Sequence, residues 1–424
     1  MDTINTASAV SDEELTALES SIRAAEPAYV ADLERLVNTD CGSYTRDGVD
    51  EIGQYVASFM TSRGATVELR PDPEGRLGST VIGTWRGGPE AGDGPKAAGG
   101  PEAAGGPRLL LIGHMDTVFD PGTATERPFA IRDGIATGPG VTDMKSGLLA
   151  GLYAIQALVA ACPLPFDRLT YVANPDEEIG SPSSTPHIRE IAAESDVCLV
   201  LECARANGDI VSSRKGILDA RIAVNGRAAH AGVEPEKGRS AILAAADLVS
   251  RLHALNGRWD GVTVNVGVMA GGTRPNVVPE RCSLEVDVRA IRRADLEAAE
   301  AEIRALLGTL SVPDTSAELA PMARWWPMEK LERSGRLVEH AQAIARRLGF
   351  EVHDAATGGA SDANTTSGMG VPSIDGLGPI GGNDHSPAEY LEVASIVPRT
   401  TLLAGLILAI GRDPEVVAWR ATRA

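Results

Sequence analysis

Apolar runs that end in polar residues recur through the first half of the chain. RLLLIGHMDTV (108–118) is such a run, typical of a strand buried on both faces of a sheet. DRLTYVANPDEE (167–178) and SDVCLVLECA (195–204) have the same pattern, and SGLLAGLYAIQALVA (146–160) reads as a long apolar helix. Strands that alternate with helices predict an α/β domain with a doubly wound mixed sheet, whose ligands gather at the carboxyl ends of the strands.

The order of predicted elements changes between about Gly216 and Pro327. Strands and two amphipathic helices, within 238–255 and 294–307, follow one another there in the order β-α-β-β-α-β. This order is typical of a small ferredoxin-like α+β sandwich. After it the chain returns to helix, Gly-rich loop and strand, so the small domain is predicted to be inserted into the large one.

These patterns predict a large domain in two segments, 1–216 and 328–424, and an inserted domain at 217–327. A stretch rich in Gly, Pro and Ala at 87–107 repeats Gly-Gly-Pro-Glu-Ala and has no large apolar side chains to bury. It predicts a flexible surface insertion between two strands, outside every motif discussed below.

The charge balance is strongly acidic, with 58 Asp+Glu against 39 Lys+Arg and a formal net charge of −19. Such a surface repels phosphates, which argues against nucleic acid or an anionic membrane as a partner. No run approaches the roughly 18 uncharged apolar residues that cross a bilayer, and no signal-peptide pattern is visible. The cysteines lack C-x-x-C spacing, which predicts free thiols in a reducing cytoplasm. They are Cys41, Cys162, Cys198, Cys203 and Cys282.

Side chains that can bind a metal or move a proton follow the predicted strands. His114 and Asp116 project from the same side of a strand end, where a carboxylate can orient a metal-bound imidazole. An ordinary polar pair is the alternative. Asp143 lies in GPGVTDMKSG, directly before the apolar helix. A helix N-cap is the alternative for this residue.

Four further candidates follow the later strands and a Gly-rich loop. Glu177 and Glu178 are part of an acidic loop that could simply be solvated, whereas Glu202 ends a buried strand where a lone carboxylate is unexpected. His385 lies in GGNDHSPAEY. Together with His114 and Asp143 they form a mixed N/O ligand set without thiolate, which suits a catalytic pair of zinc or similar divalent ions.

A series of stretches resembles, in family order, the aminoacylase, succinyl-diaminopimelate desuccinylase and glutamate carboxypeptidase family of dinuclear zinc metallopeptidases. Within that family the similarity is greatest to the glutamate carboxypeptidases of the G type. The stretches span most of the chain: GHMDTV (113–118), GPGVTDMKSG (138–147), PDEEIGS (175–181), Glu202, GRAAHAGVEPEKG (226–238), NVVP (276–279), TGGASDA (357–363) and DHSPAEY (384–390).

The resemblance implies a catalytic domain with an inserted dimerisation or lid domain, and two Zn²⁺ per subunit, with Co²⁺ or Mn²⁺ as alternatives. Asp143 would bridge the two ions and be joined to Met144 by a cis peptide bond. His114 and Glu202 would complete one ion's ligands, and Glu178 and His385 the other's. Relatives commonly have Pro after the ligand that corresponds to Glu202, whereas this chain has Cys203.

The resemblance also implies roles for three catalytic residues. Asp116 would orient His114, and Glu177 would act as general base and then as general acid. His230 would stabilise the oxyanion, reaching the active site of the neighbouring subunit as in dimeric relatives. A local contact with the sheet is the alternative for His230.

Four residues are implied in substrate binding: Asn276, Arg289, Arg324 and Gly359. The first two would hold a substrate carboxylate, a task that suits a guanidinium group. Arg324 could equally form a surface ion pair, and Gly359 would line the pocket. The remaining histidines are predicted to face solvent: His187, His253, His340 and His353.

The function predicted from these features is a cytoplasmic, homodimeric, zinc-dependent hydrolase. It would cleave an amide bond to release a C-terminal amino acid, plausibly glutamate, from an N-acyl or peptidyl substrate. The alternative within the same chemistry is an N-acyl-amino-acid deacylase of the acetylornithine deacetylase or succinyl-diaminopimelate desuccinylase kind. A non-catalytic, metal-stabilised binding module is the alternative from another class, although such a protein would not need Glu177 beside its metals.

Overall fold

The computed structural model describes residues 10–87, 106–161 and 164–422, and it divides the chain into two compact units. The first unit consists of Met1–Ser212, Lys330–Ala356 and Ser361–Ala424, and the second of Ser213–Glu329 with Thr357–Ala360.

The second unit is slightly wider than the inserted domain predicted at 217–327. It also includes residues 357–360, which the sequence analysis assigned to the large domain. The sequence could not indicate that residues 357–360 belong to the second unit, because the amino-acid composition does not change at so short a segment. Residues 88–105 of the predicted Gly/Pro/Ala-rich insertion, and Cys162, lie outside the described residues.

The helices are α1 (Asp12–Val37), α2 (Arg46–Thr61), α3 (Thr123–Glu126), α4 (Ser146–Ala161), α5 (Thr185–Ala193), α6 (Ala241–His253), α7 (Arg293–Leu307), α8 (Glu332–Arg347), α9 (Asp362–Gly368), α10 (Ile396–Gly411) and α11 (Pro414–Ala418). The strands are β1 (Thr66–Arg70), β2 (Thr80–Arg86), β3 (Arg108–His114), β4 (Ala130–Arg132), β5 (Ile135–Thr137), β6 (Arg168–Asn174), β7 (Val197–Val200), β8 (Ile210–Arg214), β9 (Gly216–Asn225), β10 (Thr263–Gly271), β11 (Arg281–Ala290), β12 (Ser316–Trp325), β13 (Asp354–Thr357), β14 (Ser373–Ile374), β15 (Gly381–Gly382) and β16 (Tyr390–Glu392).

The first unit is built on a six-stranded mixed sheet in the order β1-β2-β6-β3-β7-β14. Strands β6, β3, β7 and β14 run parallel, while β1 and β2 are antiparallel to their neighbours. Leu109 to Ile112 of the central strand β3 are completely buried, as its apolar run predicts. The predicted mixed α/β architecture is confirmed, and the residues that follow β3, β6 and β7 meet at one edge of this sheet.

Apolar helices form the core beside this sheet, where α1, α4 and α10 pack together. Two helical stretches, Val141–Ala161 and Val393–Gly411, are long and apolar enough to cross a membrane by length and composition alone. This corrects the expectation that no run approaches such a length. In their most apolar windows 78% and 83% of the residues are buried inside the protein, as in the core helices of a large α/β domain.

Helix α4 begins in close contact with the end of β7, and Gly147 makes this approach possible. A Cβ atom at Gly147 would lie 1.8 Å from the carbonyl oxygen of Leu201. We expect Gly147→Ala to lower the free energy of unfolding by about 1–3 kcal/mol, since the backbone must shift to remove the overlap. The matched control is Gly335→Ala in α8, where a Cβ would meet nothing within 4 Å.

Chemical denaturation measures both variants. Gly335→Ala should gain about 0.5–1 kcal/mol, because alanine costs less conformational entropy than glycine inside a helix. Equal stabilities of the two variants would contradict the packing argument for Gly147.

A second sheet of the first unit, in the order β15-β16-β5-β4, holds the segment that contains His385. Strands β15 and β16 pair antiparallel, and the residues between them form a loop. His385 and Asn383 have φ values of 59° and 57°, which non-glycine residues adopt only in tight turns. The hydroxyl group of Ser386 closes the loop by donating to the carbonyl oxygen of Asn383 at 2.7 Å.

The second unit has its own core and its own four-stranded antiparallel sheet, in the order β10-β11-β9-β12. Residues of β11 alternate between buried and partly exposed, because one face packs against α6 and α7. Its element order confirms the predicted β-α-β-β-α-β arrangement. Strand β10 lies at one edge of the sheet and exposes Val268 and Met269.

His340 does not face solvent as the sequence analysis expected. It lies on the apolar side of α8 with 1% of its surface exposed, and its Nε2 is 2.7 Å from Oδ2 of Asp413. Burial by itself would raise the pKa of Asp413, but hydrogen bonds from His340 and Arg336 hold it well below its usual value. The hydrogen bond to Asp413 offsets the cost of burying the imidazole. The sequence of α8 could not indicate this partner, because Asp413 lies far away along the chain.

Candidate metal centre

The carboxyl ends of three parallel strands bring the predicted ligands of the first unit together. His114 is the last residue of β3, and Glu202 follows β7. Glu177 and Glu178 lie in a short turn after β6. Because β6 and β7 flank β3, the turn and Glu202 lie on either side of His114. The site therefore follows from strand order, as expected for an α/β sheet.

Asp143 lies between the two predicted histidine ligands. Its Oδ1 is 3.1 Å from Nε2 of His114, and its Oδ2 is 3.1 Å from Nε2 of His385. The peptide bond between Asp143 and Met144 is cis, as the resemblance implies. The N-cap alternative does not describe this residue, because both carboxylate oxygens are directed at imidazole nitrogens.

The two predicted glutamate ligands complete the cluster. Oε2 of Glu178 is 3.0 Å from Nε2 of His385, and Oε1 of Glu202 is 3.8 Å from Nε2 of His114. Ligand atoms of His114, Asp143 and Glu178 lie within 4.8 Å of one another, as do those of His114, Glu177 and Glu202. The structure thus brings all five predicted metal ligands and Glu177 into one cluster.

Asp116 connects two parts of this cluster. Its carbonyl oxygen is 3.0 Å from Nδ1 of His114, and its Oδ1 is 3.3 Å from the same nitrogen. A proton on Nδ1 can donate there and leave the lone pair of Nε2 for a metal ion. The carboxylate of Asp116 also accepts the backbone N–H groups of Glu177 and Glu178 at 3.1 and 3.2 Å. Asp116 therefore orients His114 and fixes the acidic turn.

The electrostatic potential of the cluster favours cations. Hydrogen bonds to Asp143 and Glu178 raise the pKa of His385 to about 11. Burial raises the pKa of Glu177 well above its usual value, against the opposing effect of His114. The nearby carboxylate of Glu202 contributes to the increase, because two like charges in one buried site disfavour each other. A divalent ion would offset this repulsion.

The donor set fits zinc or a similar divalent ion. Two imidazole nitrogens and several carboxylate oxygens, with no thiolate among the clustered ligands, are typical of catalytic zinc sites. The two oxygens of Asp143 face different histidines, the arrangement that a bridging carboxylate requires. Cys203, next to Glu202, is buried, and burial raises the pKa of its thiol. A thiol that keeps its proton is a poor metal ligand.

Two residues of the site were not singled out from the sequence. Ser43 donates its hydroxyl group to Oδ2 of Asp116 at 2.6 Å. Glu389 is buried and accepts backbone N–H groups of the turn that carries Asp143. The only sequence signal for Glu389 is its place in DHSPAEY, four residues after His385; nothing in the sequence marks Ser43.

The other predicted residues lie in the second unit. Nδ1 of His230 accepts the N–H of Gly232 at 3.1 Å. The backbone carbonyl of Asn276 accepts the N–H of Ala231 at 3.0 Å. The contact of His230 is local, as its structural alternative expects. It uses only Nδ1, so Nε2 has no part in it.

Arg289, Gly359 and Arg324 also have contacts within the second unit. Nε of Arg289 lies 3.1 Å from both carboxylate oxygens of Asp287, and Nη1 donates to the carbonyl oxygen of Gly358 at 3.0 Å. The carbonyl oxygen of Gly359 accepts Nη1 of Arg214 at 3.2 Å. Arg324 pairs with Glu300, which is the ion-pair alternative stated for it.

Comparison with known proteins places the chain among metallohydrolases. Carboxypeptidase G2 of Pseudomonas sp. (strain RS-16) is 28% identical over 390 residues, which cover 91% of this chain and 90% of that protein. Succinyl-diaminopimelate desuccinylase of Xanthomonas campestris pv. campestris (strain B100) is 28% identical over 328 residues, covering 70% of this chain and 82% of that protein.

Solved structures share the fold. Aminopeptidase PepT from Bacillus cereus superposes with a TM-score of 0.73 and 22% identity, over 91% of this chain and 98% of that one. An M20 family metallo-carboxypeptidase from Sulfolobus solfataricus gives a TM-score of 0.66 at 14% identity, over 90% and 99% of the two chains. The profile of peptidase family M20/M25/M40 matches residues 110–409, which include every clustered ligand. The chain belongs to peptidase family M20/M25/M40.

Proposed function

We propose that this protein is a dinuclear zinc hydrolase that cleaves an amide bond to release a C-terminal amino acid from an N-acyl or peptidyl substrate. The observation that carries the proposal is the position of Asp143, whose two carboxylate oxygens each contact a different histidine at 3.1 Å. Asp143 would bridge two ions, with His114 and Glu202 on one side and Glu178 and His385 on the other. Cobalt or manganese could replace zinc in this donor set.

The side chains of the site have distinct tasks in such a reaction. Bound zinc supplies Lewis acidity and lowers the pKa of coordinated water. Glu177 accepts the proton of the attacking water, whose oxygen bonds to the amide carbon, and then donates it to the leaving nitrogen as the carbon–nitrogen bond breaks. Asp116 keeps Glu177 in place through the backbone N–H at 3.1 Å. No serine or cysteine nucleophile is needed.

The substrate is proposed to carry a free α-carboxylate. Asn276 and Arg289 are the candidates to bind it, and Gly359 would line the pocket. Both arginines are paired within the second unit, Arg289 with Asp287 and Arg324 with Glu300, and Arg324 is the weaker candidate. The similarity to carboxypeptidase G2 over 91% of the chain supports release of a C-terminal amino acid. The resemblance to glutamate carboxypeptidases favours glutamate as that residue. The similarity to desuccinylases supports the alternative, an N-acyl-amino-acid deacylase.

A release assay with zinc-loaded protein separates these alternatives. The panel consists of N-acyl amino acids, dipeptides and folate-like glutamate conjugates, each with its amide-capped counterpart that lacks the free carboxylate. We expect release of the C-terminal amino acid from the free acids and little from the capped compounds. Release from N-succinyl or N-acetyl diamino acids in preference to glutamate conjugates would favour the deacylase.

The protein is also proposed to act as a cytoplasmic homodimer, with His230 donating a hydrogen bond to the substrate oxyanion. The exposed edge strand β10, with Val268 and Met269, supports association through the second unit. The free thiols among the described cysteines support a reducing compartment.

Replacing His230 tests its proposed role. We expect His230→Ala to lower kcat by about 10²- to 10³-fold, the usual cost of losing one oxyanion donor. Sedimentation analysis of the variant measures its oligomeric state, and His253→Ala, an exposed histidine of α6, serves as the control. Undiminished turnover by the variant would assign His230 a local structural role instead.

A further inference from the structure

Glu389 is buried beside the candidate metal centre, and the proposed reaction gives it no task. Only 1% of its surface is exposed. A buried carboxylate costs free energy unless hydrogen bonds offset the loss of water. Its Oε2 accepts the backbone N–H of Gly140 at 2.9 Å, and its Oε1 accepts those of Thr142 and Asp143 at 2.8 and 3.1 Å. Glu389 is therefore fully engaged with one short segment of backbone.

That segment is the irregular turn that carries Asp143. Its backbone angles, −112° and 96° at Asp143 and −125° and 38° at Met144, are not helical. In a regular helix these N–H groups would donate to carbonyl oxygens of the preceding turn. Glu389 supplies the acceptors in their place. Glu389 thus contacts the backbone of the residue whose carboxylate faces both histidines.

Glu389 belongs to the same chain segment as the ligand His385. Both lie between β15 and the end of β16, and Nε2 of His385 contacts Oδ2 of Asp143 at 3.1 Å. This segment consequently holds Asp143 at two points, the imidazole at its carboxylate and Glu389 at its backbone.

We propose that Glu389 is a positioning residue for metal binding, which fixes the turn at Gly140–Asp143 so that the two carboxylate oxygens of Asp143 face both histidines. The proposal rests on the metal centre described under the proposed function. Glu389 is not among the clustered ligands, and it acts through the backbone of Asp143. Loss of a partner that orients a metal ligand in this way typically lowers metal affinity by about 10- to 100-fold.

The variant Glu389→Gln tests this role, because it preserves size but turns one acceptor oxygen into an NH₂ group that faces N–H donors. We expect its zinc affinity, measured by competition with a chelator, to fall by about 10- to 100-fold. Activity should be lost mainly at limiting zinc and return towards the wild-type value when zinc is raised. Glu392→Gln makes the same chemical change at the end of β16 and serves as the control. It should bind zinc like the wild type.

The outcomes separate this proposal from the proposed function. If the wild type binds no zinc, the metal centre itself is refuted. If the wild type binds zinc and Glu389→Gln binds it equally well, only the role of Glu389 is refuted. The thermal stability of both chelator-treated variants is compared, so that a loss of affinity is read only from a variant that folds.

Hydrogen exchange of the wild type provides a measurement that needs no variant. Because the three contacts of Glu389 do not involve a metal ion, the amides of Gly140, Thr142 and Asp143 should exchange slowly both with zinc and after treatment with a chelator. Fast exchange in the chelator-treated protein, at the rate of exposed turns such as Asp133–Gly134, would overturn the proposal.

Discussion

Glu177→Ala is expected to retain zinc and to lose turnover by about 10²- to 10⁴-fold, the contribution of a positioned general base. Glu177 lies with His114 and Glu202 in a group whose ligand atoms are within 4.8 Å of one another, but it is not needed to complete the five-ligand set. Steady-state kinetics and metal analysis measure the two effects separately. The loss should fall on kcat, since the side chain acts on the reacting water rather than on substrate binding.

Glu351→Gln is the control for this experiment, because Glu351 is an exposed carboxylate of the same unit, outside the cluster. Full turnover of Glu177→Ala would discard the proposed mechanism. Loss of zinc along with turnover would instead make Glu177 a ligand, which its place in a possible metal-binding group permits.

Asp143→Asn should reduce zinc affinity by more than about 100-fold, the upper end of what the loss of an outer partner costs. Asparagine keeps the shape of the side chain but removes the charge that lies between His114 and His385. Only one oxygen remains, so the residue can no longer offer an anionic oxygen to each side. Both proposed ions depend on this bridge, and activity is expected to disappear with them.

The readout for Asp143→Asn is the stabilisation that zinc gives to the fold. Zinc that binds only the native protein raises the free energy of unfolding by about 4 kcal/mol at a thousand times its Kd. The wild type and the exposed-residue control Asp120→Asn should show this increase, and Asp143→Asn should not. An undiminished increase in the variant would place the metal elsewhere.

The sequence predicted the mixed sheet, and it named the residues that the structure brings together at the edge of this sheet. The apolar run before His114 marks a central strand, because only a strand covered on both faces needs such continuity. The runs of the two strands that flank it place Glu178 and Glu202 at strand ends on either side of His114. The arrangement of the distant His385 with Asp143 was implied by the resemblance, since no local pattern connects residues so far apart in the chain.

Other features depend on contacts that have no local signature. Glu389 binds backbone N–H groups, which every residue has, so no pattern of side chains in the sequence indicates its role. The burial of His340 depends on Asp413, which lies outside α8, at the start of α11. One polar residue among the many of α8 therefore looked like a surface position. The placement of residues 357–360 with the second unit likewise depends on tertiary packing rather than composition.

The ligands are spread along the polypeptide from His114 to His385, which has a consequence for biosynthesis. A ribosome completes the central sheet strands β3, β6 and β7 long before it adds the loop between β15 and β16. A nascent chain that ends before this loop holds only part of the donor set. Under the proposed function, capture of a second ion and the onset of hydrolysis are therefore expected only after this loop has been synthesised.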